Sequence, residues 1–493
     1  MKRTPVWLKT MSVVSGIVLA STASATTGYF SLGYGAKAMG LAGAVVSNPQ
    51  DTATIAVNPA GITAVGERVD GGLRLFSPKR EAELTTSAFG ATYDVDDKSR
   101  RDLFLVPNFG FNLQLKDNLW FGFNFYGNGG MNSTYDRNLY DETAGFLGAI
   151  TPPPNGPGLP PNQVPEGTTP NDLFEQNNME RPISNVGTLG VDLMQGIFAP
   201  TLAMKVKEKH SIGVSLLIGM QRFSARGLGN FQCFTQTGQS PAGGAATCAA
   251  TGGAFTSTPS DGLTNNNSDW SFGAGARIGW MGEVHPRLTL GASYSTKIYM
   301  SEFDDYDELF AEDGDFDIPA NFTLGATFKA TPKMNISFDF QQIQYEGVNS
   351  ISNPGPVFVP GRGPFPPSGF PPSASSEWFG KDDGMGFGWE DINIYRLAAE
   401  YNYDSQWTFR AGYSWNDQPI PDSEVLFNIL APATIEQHAT VGFTFAPNKQ
   451  SEWNFAYMHA FEEEVKSSQT ALGVPGSIKM HQNSFVVGYS YKF

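Results

Sequence analysis

The last thirteen residues of the chain alternate between two kinds of side chain. One kind is apolar or aromatic and the other is mostly small or polar: Phe485, Val487, Tyr489, Tyr491 and Phe493 alternate with Val486, Gly488, Ser490 and Lys492. A period of two is that of a β-strand, in which successive side chains point to opposite faces. Because lipid offers no partner to an open sheet edge, a strand with one lipid face and one polar face predicts a closed membrane barrel.

The same alternation recurs along the chain in segments of about ten residues, the length of a membrane-spanning strand. Short polar turns are predicted near residues 117, 208, 286, 332, 404 and 448. Longer links lie near residues 85–100, 128–191, 226–269, 302–317, 347–390, 417–434 and 463–481. Six turns alternating with seven long loops predict an all-β fold, a transmembrane antiparallel barrel of about 14 strands with its turns in the periplasm.

The amino-terminus has the pattern of a secretory signal. Positive charges at Lys2, Arg3 and Lys9 precede an apolar stretch, and Ala23-Ser24-Ala25 forms a cleavage site. We therefore predict a signal peptide over residues 1–25 and a mature chain beginning at Thr26. Only 16% of the residues are charged, and no apolar run of 18 residues follows the signal, which excludes helical membrane spans. These features predict a location in the bacterial outer membrane.

Residues 26–67 do not fit the strand pattern and are small, mildly apolar and rich in Gly and Ala. A barrel of about 14 strands leaves an open lumen unless something fills it. We predict that residues 26–67 fold inside the barrel as a hatch that plugs the lumen. Residues 68–493 would then form the barrel and its long outer loops. A disordered periplasmic leader is the alternative.

Several motifs resemble the FadL family of outer-membrane transporters for long-chain fatty acids and aromatic hydrocarbons. They are GAKAMGLAGA at 35–44, NPAGI at 58–62, IPANFTLG at 318–325, GWED at 388–391 and RAGYS at 410–414. The resemblance implies a 14-stranded barrel with a hatch and a hydrophobic small-molecule ligand. It also implies that the ligand leaves sideways through a gap at a kink in the third strand. Here that strand breaks at residues 127–130, where glycines would permit a kink.

Two groups of residues are candidates for transport. Asn58, Pro59, Ala60 and Gly61 form a rigid turn, which either pins the hatch in its closed position or has a structural role alone. The candidate ligand contacts are the front of the hatch and cations that could pair with a carboxylate: Thr26, Thr27, Tyr29, Phe30, Arg222, Lys297 and Arg396.

The remaining chemistry is sparse. Cys233 and Cys248 are predicted to form a disulfide in an outer loop, and a metal pair is less favoured because no His lies nearby. The acidic stretch 302–317 could bridge to lipopolysaccharide through divalent cations, but a solvated loop is the favoured interpretation. Scattered histidines and the absence of a G-x-S-x-G serine predict no enzymatic activity, no metal and no cofactor.

The sequence as a whole predicts a passive outer-membrane channel for hydrophobic compounds. Its expected surroundings are outer-membrane lipid and lipopolysaccharide, and the barrel assembly machinery would recognise Phe493. The chain is expected to be monomeric, and its net charge of −16 argues against nucleic acid as a partner. Two alternatives remain: a general porin for small polar solutes, and a surface adhesin that uses the long loops.

Overall fold

Fourteen antiparallel strands form a single ring. The computed structural model describes residues 26–88, 91–140, 143, 188–239, 262–355, 378–470 and 474–493, so the predicted signal peptide lies outside the described residues. The strands are β1 (Arg68–Ala88), β2 (Phe104–Lys116), β3 (Leu119–Gly129), β4 (Met194–Lys207), β5 (His210–Phe223), β6 (Asp269–His285), β7 (Leu288–Ser295), β8 (Asn321–Thr331), β9 (Met334–Ile343), β10 (Ile392–Asn402), β11 (Trp407–Asn416), β12 (Gln437–Phe445), β13 (Ser451–Ser467) and β14 (Gly476–Lys492).

Each strand pairs with its neighbours in chain order, and the last strand pairs with the first. The closing register runs from Arg68 opposite Lys492 to Leu84 opposite Gly476. The ring therefore has no open edge, as a sheet in lipid requires. The predicted fold class, a closed antiparallel barrel of 14 strands, is confirmed, and all six predicted tight turns join strands.

Two predicted loops are shorter than expected. Residues 463–481 were expected to link two strands, but β13 continues to Ser467 and β14 begins at Gly476. Ser467 and Gly476 still face each other across the ladder. Charged residues in this stretch hid the strands because hydrogen-bonded pairing above the lipid layer needs no apolar face. Similarly, residues Ala91–Lys98, expected in a loop, form a short strand that pairs antiparallel with the outer part of β1, from Glu81 to Ala88.

The two faces of each strand differ as the alternation predicted. On β14, Phe485 and Tyr489 are 44% and 39% exposed on the outer face, whereas Ser484 and Ser490 are buried on the inner face. On β5, Val214 is likewise exposed and its neighbour Ser215 is buried. The outer face thus forms an apolar belt that suits lipid. Among the described residues, no helix is long and apolar enough to cross a membrane.

Residues 26–67, called here the inner segment, pack against the inner faces of the strands. The segment contains helix α1 (Gly35–Gly40) and two 3-10 turns, Thr52–Ala56 and Pro59–Thr63. Helix α1 contacts β12, β13 and β14, while the second 3-10 turn contacts β4, β5 and β6. Nearly all of the segment is buried, including Met39, Ile55 and Ile62. The segment therefore occupies the lumen.

At several of the places where the inner segment touches the wall of the barrel, the wall carries glycine. A Cβ placed on Gly213 would lie 2.5 Å from the carbonyl carbon of Pro59, and one on Gly412 would lie 2.6 Å from that of Leu41. Such distances leave no room for a side chain. We call the inward-facing glycines that meet the segment in this way the glycine belt: Gly110, Gly122, Gly213, Gly279, Gly291, Gly325, Gly412 and Gly442.

The last residue generates the first prediction. Phe493 is 70% exposed on the outer face, and its backbone N–H donates to the carbonyl of Glu67 at 3.1 Å. Replacing it with Asp places a charge in the closing strand at the lipid boundary, so we expect the amount of folded barrel in the outer membrane to fall severalfold. Heat-modifiable migration in gels measures this amount. Phe493→Tyr keeps the aromatic ring and should assemble normally; equal amounts of both variants would contradict the prediction.

The glycine belt generates the second prediction. In Gly213→Val the new side chain would enter the backbone at Pro59, so the inner segment must shift and the ionic conductance in planar bilayers should rise. Gly71→Val is the matched control, because Gly71 lies on the outer face of β1 and its nearest neighbours are 3.9 Å from the position of a Cβ. Valine suits a strand at both sites. Equal conductance of the two folded variants would show that the belt does not seal the lumen.

Candidate functional site

The first residues of the inner segment form a compact turn. The backbone N–H groups of Thr26 and Thr27 donate to the carbonyl of Phe30 at 3.1 and 3.2 Å, and that of Phe30 donates back to Thr27 at 3.2 Å. Gly28 lies in the left-handed region, with φ +61°, which glycine adopts without strain. Residues 26–34 are called the arm. The predicted ligand contacts Thr26, Thr27, Tyr29 and Phe30 are therefore together in space and buried.

The arm continues into hydrogen bonds with β3 at an irregularity in the wall. The pairing of β3 with β4 passes from Gly127 directly to Gly129, so Asn128 is skipped. The carbonyl of Asn128 instead accepts from the backbone N–H of Ser31 at 3.0 Å, and the N–H of Gly130 donates to Tyr29 at 3.2 Å. A bulge of this kind leaves one residue without a ladder partner and bends the strand. The break predicted at residues 127–130 is thus present, and the arm occupies it.

Aromatic side chains from the outer loops surround Tyr29. Its ring centre lies 5.5 Å from that of Tyr345, 6.0 Å from that of Trp389 and 6.2 Å from that of Phe316. The Tyr345 hydroxyl accepts from the backbone N–H of Tyr29 at 3.2 Å and donates to the carbonyl of Thr27 at 2.9 Å. The arm is therefore held in an apolar cage by a few hydrogen bonds.

Arginines lie on the other side of the arm. The predicted residue Arg396 lines a small cavity together with Phe30 and Tyr34, and it donates to Gln341 at 2.6 Å. Arg277 lines the same cavity and donates to the carbonyl of Ile55 at 3.0 Å. Sequence reasoning missed Arg277, although it alternates with outward-facing residues of β6 and so shares the lumenal face.

Three other cationic side chains differ in their positions and partners. Arg74, which the sequence analysis also missed, donates to the Ser31 hydroxyl at 2.6 Å. The predicted residues Arg222 and Lys297 form ion pairs at the outer end of the barrel, with Asp192 at 2.9 Å and Asp317 at 2.8 Å. Of the three predicted cations, therefore, the structure brings Arg396 to the arm.

The turn at Asn58 is tied to both the inner segment and the wall. The Asn58 side-chain oxygen accepts from the backbone N–H of Ala60 at 3.1 Å and caps the second 3-10 turn, which Pro59 begins. The side-chain amide donates to the carbonyl of Val46 at 2.8 Å and to that of Trp280 in β6 at 2.9 Å. The rigid turn is confirmed, while a gating role for Asn58, Pro59, Ala60 and Gly61 stays a prediction.

A buried ionic network joins the inner segment to the strands that close the barrel. The ammonium of Lys37 in α1 lies 2.6 Å from a carboxylate oxygen of Glu452 in β13, and Glu452 also pairs with Arg68 at 3.5 Å and with Lys492. Arg68 binds both oxygens of Asp70. Burial and the neighbouring Arg68 lower the pKa of Lys37, and Glu452 opposes this shift. These five residues are called the seam cluster.

Two features predicted for the loops stay predictions: the disulfide and the divalent-cation bridge of the acidic stretch. Cys248 lies outside the described residues, so the disulfide with Cys233 stays a prediction. Within the described ranges, no group of three or more His, Cys, Asp or Glu side chains is placed to hold a metal ion. In the acidic stretch, Asp317 pairs with Lys297 and accepts the backbone N–H of Met300 at 2.6 Å.

The seam cluster generates the third prediction. Lys37→Met removes one of three cations around Glu452, so the barrel should lose up to about 3 kcal/mol of stability, the lower end of the cost of breaking a buried pair, because Arg68 and Lys492 still compensate the carboxylate. The urea midpoint for loss of heat-modifiable migration measures the effect. The double variant Lys37→Met/Glu452→Gln should recover part of the loss.

The matched control uses an exposed pair. Lys79→Met removes the partner of Asp102, and because that lysine is half exposed its ion pair should contribute little. A midpoint for Lys37→Met no lower than that for Lys79→Met would contradict the proposed importance of the seam cluster.

Comparison with solved structures finds similar barrels. The toluene transporter TodX of P. putida has a TM-score of 0.60 at 18% identity, over 94% of this chain and 99% of that chain. A Pseudomonas aeruginosa FadL homologue has a TM-score of 0.60 at 15% identity, over 94% and 100%. The Ralstonia pickettii toluene transporter TbuX has a TM-score of 0.56 at 16% identity, over 94% and 99%. At these identities the likeness supports the fold.

Family membership rests on a separate comparison. Curated protein sequences give no significant match. The family model described as outer membrane protein transport protein (OMPP1/FadL/TodX) matches residues 182–493, which is more than half of the chain. This match confirms both the predicted family and the predicted location in the bacterial outer membrane. The chain therefore belongs to the OMPP1/FadL/TodX family of outer membrane transport proteins.

Proposed function

We propose that this protein lets hydrophobic compounds cross the outer membrane passively, with residues 26–67 acting as a movable hatch. The observation that carries the proposal is the pairing of the arm with the bulge in β3. At this bulge the arm, inside the lumen, pairs with the part of β3 that has lost its regular pairing with β4. Movement of the arm would therefore uncover an irregularity in the wall, next to the apolar cage.

Two backbone hydrogen bonds hold the arm at the bulge, from Ser31 to Asn128 and from Gly130 to Tyr29. Each is a neutral bond worth about 0.5–1.5 kcal/mol net. A ligand that binds better when the arm is displaced can supply free energy of this size by shifting the population. We propose that the ligand then leaves sideways at the bulge into the membrane. No hydrolysis is needed, because a downhill gradient drives the movement.

The surroundings of the arm suit a hydrophobic ligand with or without an acidic group. The rings around Tyr29 offer apolar contact to a chain or an aromatic ring. Arg396 and Arg277 lie on the opposite side of Phe30, where a carboxylate would find a charged partner. We propose that the ligand replaces the arm's contacts with the aromatic rings on one side and then those with the arginines on the other.

A general porin is less favoured, because the buried inner segment lies in the path that a polar solute would take through the lumen. An adhesin would use the long loops, and residues 144–187, 240–261 and 356–377 of those loops lie outside the described part of the chain. An experiment on the arm distinguishes the three functions.

The fourth prediction compares two substitutions of Ser31. Both Ser31→Pro and Ser31→Ala remove the hydroxyl that Arg74 contacts, but only Pro also removes the backbone N–H that Asn128 accepts. Losing one neutral bond should make arm displacement about 2–10-fold easier. At matched expression, uptake of an apolar solute by Ser31→Pro cells should exceed that by Ser31→Ala cells by this factor.

The outcomes separate the candidate functions. Equal apolar uptake by the two variants would contradict a gating role for the arm. Fast uptake of a small sugar by the wild type would support the porin instead. Surface binding without any solute uptake above that of cells lacking the barrel would support the adhesin.

A further inference from the structure

A short segment lies across the outer mouth of the barrel, here called the lid (residues 422–430). It consists of a 3-10 turn, Asp422–Glu424, and a helix, Val425–Asn428, followed by Ile429 and Leu430. Three of its carbonyls accept hydroxyl groups from the loop after β3: Tyr140 donates to Leu426 at 2.8 Å, Tyr135 to Ile429 at 3.0 Å and Ser133 to Leu430 at 2.6 Å. The lid is therefore held shut by side chains that belong to the far side of the mouth.

Trp389 is fixed to the lid by its polar edge. The indole N–H donates to the side-chain oxygen of Asn428 at 2.6 Å, and the indole is fully buried. The amide of Asn428 donates in turn to the carbonyls of Phe387 at 2.7 Å and Glu424 at 2.8 Å. Asn428 thus joins the lid to the segment that carries Trp389.

The ring of Trp389 also contacts the cage around the arm. Its centre lies 6.0 Å from that of Tyr29, and it meets Tyr345 edge-on at 5.1 Å with an angle of 88°. The preceding residue, Gly388, has φ +67°, and a Cβ there would collide with the side chain of Glu424 in the lid. The backbone conformation at Gly388 therefore lets the side chain of Trp389 contact both the lid and the cage around the arm.

We propose that Trp389 couples the lid to the arm, so that displacement of either one favours displacement of the other. If the lid lifts, Asn428 withdraws and the buried indole N–H loses its acceptor unless the indole moves with it. If the indole moves, Tyr29 loses a packing partner and the arm is held less firmly. Such coupling is reciprocal, because it is a free energy shared by two sites. The proposal rests on the proposed function, in which the arm is the inner gate.

A label on the lid tests the coupling without any transport. Ser423 is exposed, and Ser423→Cys in a Cys233→Ser/Cys248→Ser background can carry a spin label whose mobility reports lid opening. Tyr29→Ala removes the arm's contact with Trp389 and should increase the mobile fraction of the label by about fivefold, the lower end of typical coupling. Trp120→Ala removes another buried aromatic ring, at the periplasmic end of the barrel, and should leave the label unchanged.

Substitution of Trp389 completes the thermodynamic cycle. In Trp389→Leu the lid should already be mobile, and adding Tyr29→Ala should then change nothing further. Trp389→Phe keeps a ring against Tyr29 but lacks the N–H, so it should loosen the lid and leave the arm in place. The same increase from Tyr29→Ala in the wild type and in Trp389→Leu, or no increase in either, would overturn the coupling.

The two proposals can fail separately. If lid mobility follows the cycle but Ser31→Pro does not raise apolar uptake relative to Ser31→Ala, the coupling holds and the gating function of the arm fails. If uptake responds to Ser31→Pro but the lid label ignores Tyr29→Ala, the arm gates transport and Trp389 does not couple it to the lid.

Discussion

The structure depends on close contact between two backbones, that of the inner segment and that of the barrel wall. This contact is possible only where neither side brings a bulky side chain, which is why the wall carries glycine at the belt and the segment is rich in Gly and Ala. A wide ring would otherwise enclose an open pore. With the belt, a short stretch of chain fills the lumen by packing its backbone directly against the wall.

Close contact creates a second requirement, because backbone groups shielded from water need partners. The segment meets it with neutral bonds on one side, such as those of Asn58 to Val46 and Trp280. On the other side it uses the seam cluster, in which Asp70 accepts the backbone N–H of Thr52 at 3.0 Å and Lys37 donates to the carbonyl of Gln50 at 3.4 Å. Breaking a neutral hydrogen bond costs less free energy than breaking a buried network of charges. The seam side is therefore the firmer attachment, and the arm at β3 is the looser one.

Local pattern made most of the barrel predictable. Alternation and turn residues are properties of neighbouring positions, so strand number and tight turns followed from the sequence. The glycine belt and the contacts of Trp389 could not be found in this way, because their partners lie tens to hundreds of residues away in the chain. Parity assigns a face but not a depth, which is why Arg396 reaches the arm whereas Arg222 and Lys297 pair with acids near the outer end. The loop expected at 463–481 failed because paired strands outside lipid carry no apolar signature.

The strands differ greatly in length, and this shapes the surroundings of the mouth. β1 has 21 residues and β7 has 8, about 70 Å and 26 Å of extended chain. Because both begin near the periplasmic rim, continuous pairing reaches much farther outward at β13, β14 and β1 than at β7, beyond which the chain pairs with β6 again at Tyr299 and Met300. The rim of the barrel is thus uneven, and it is tallest where the last strand closes on the first. Its tall side would stand among the sugars of the outer leaflet, whereas beside β7 to β9 the mouth is bounded by outer loops, which bring Phe316 and Tyr345 to the cage around the arm.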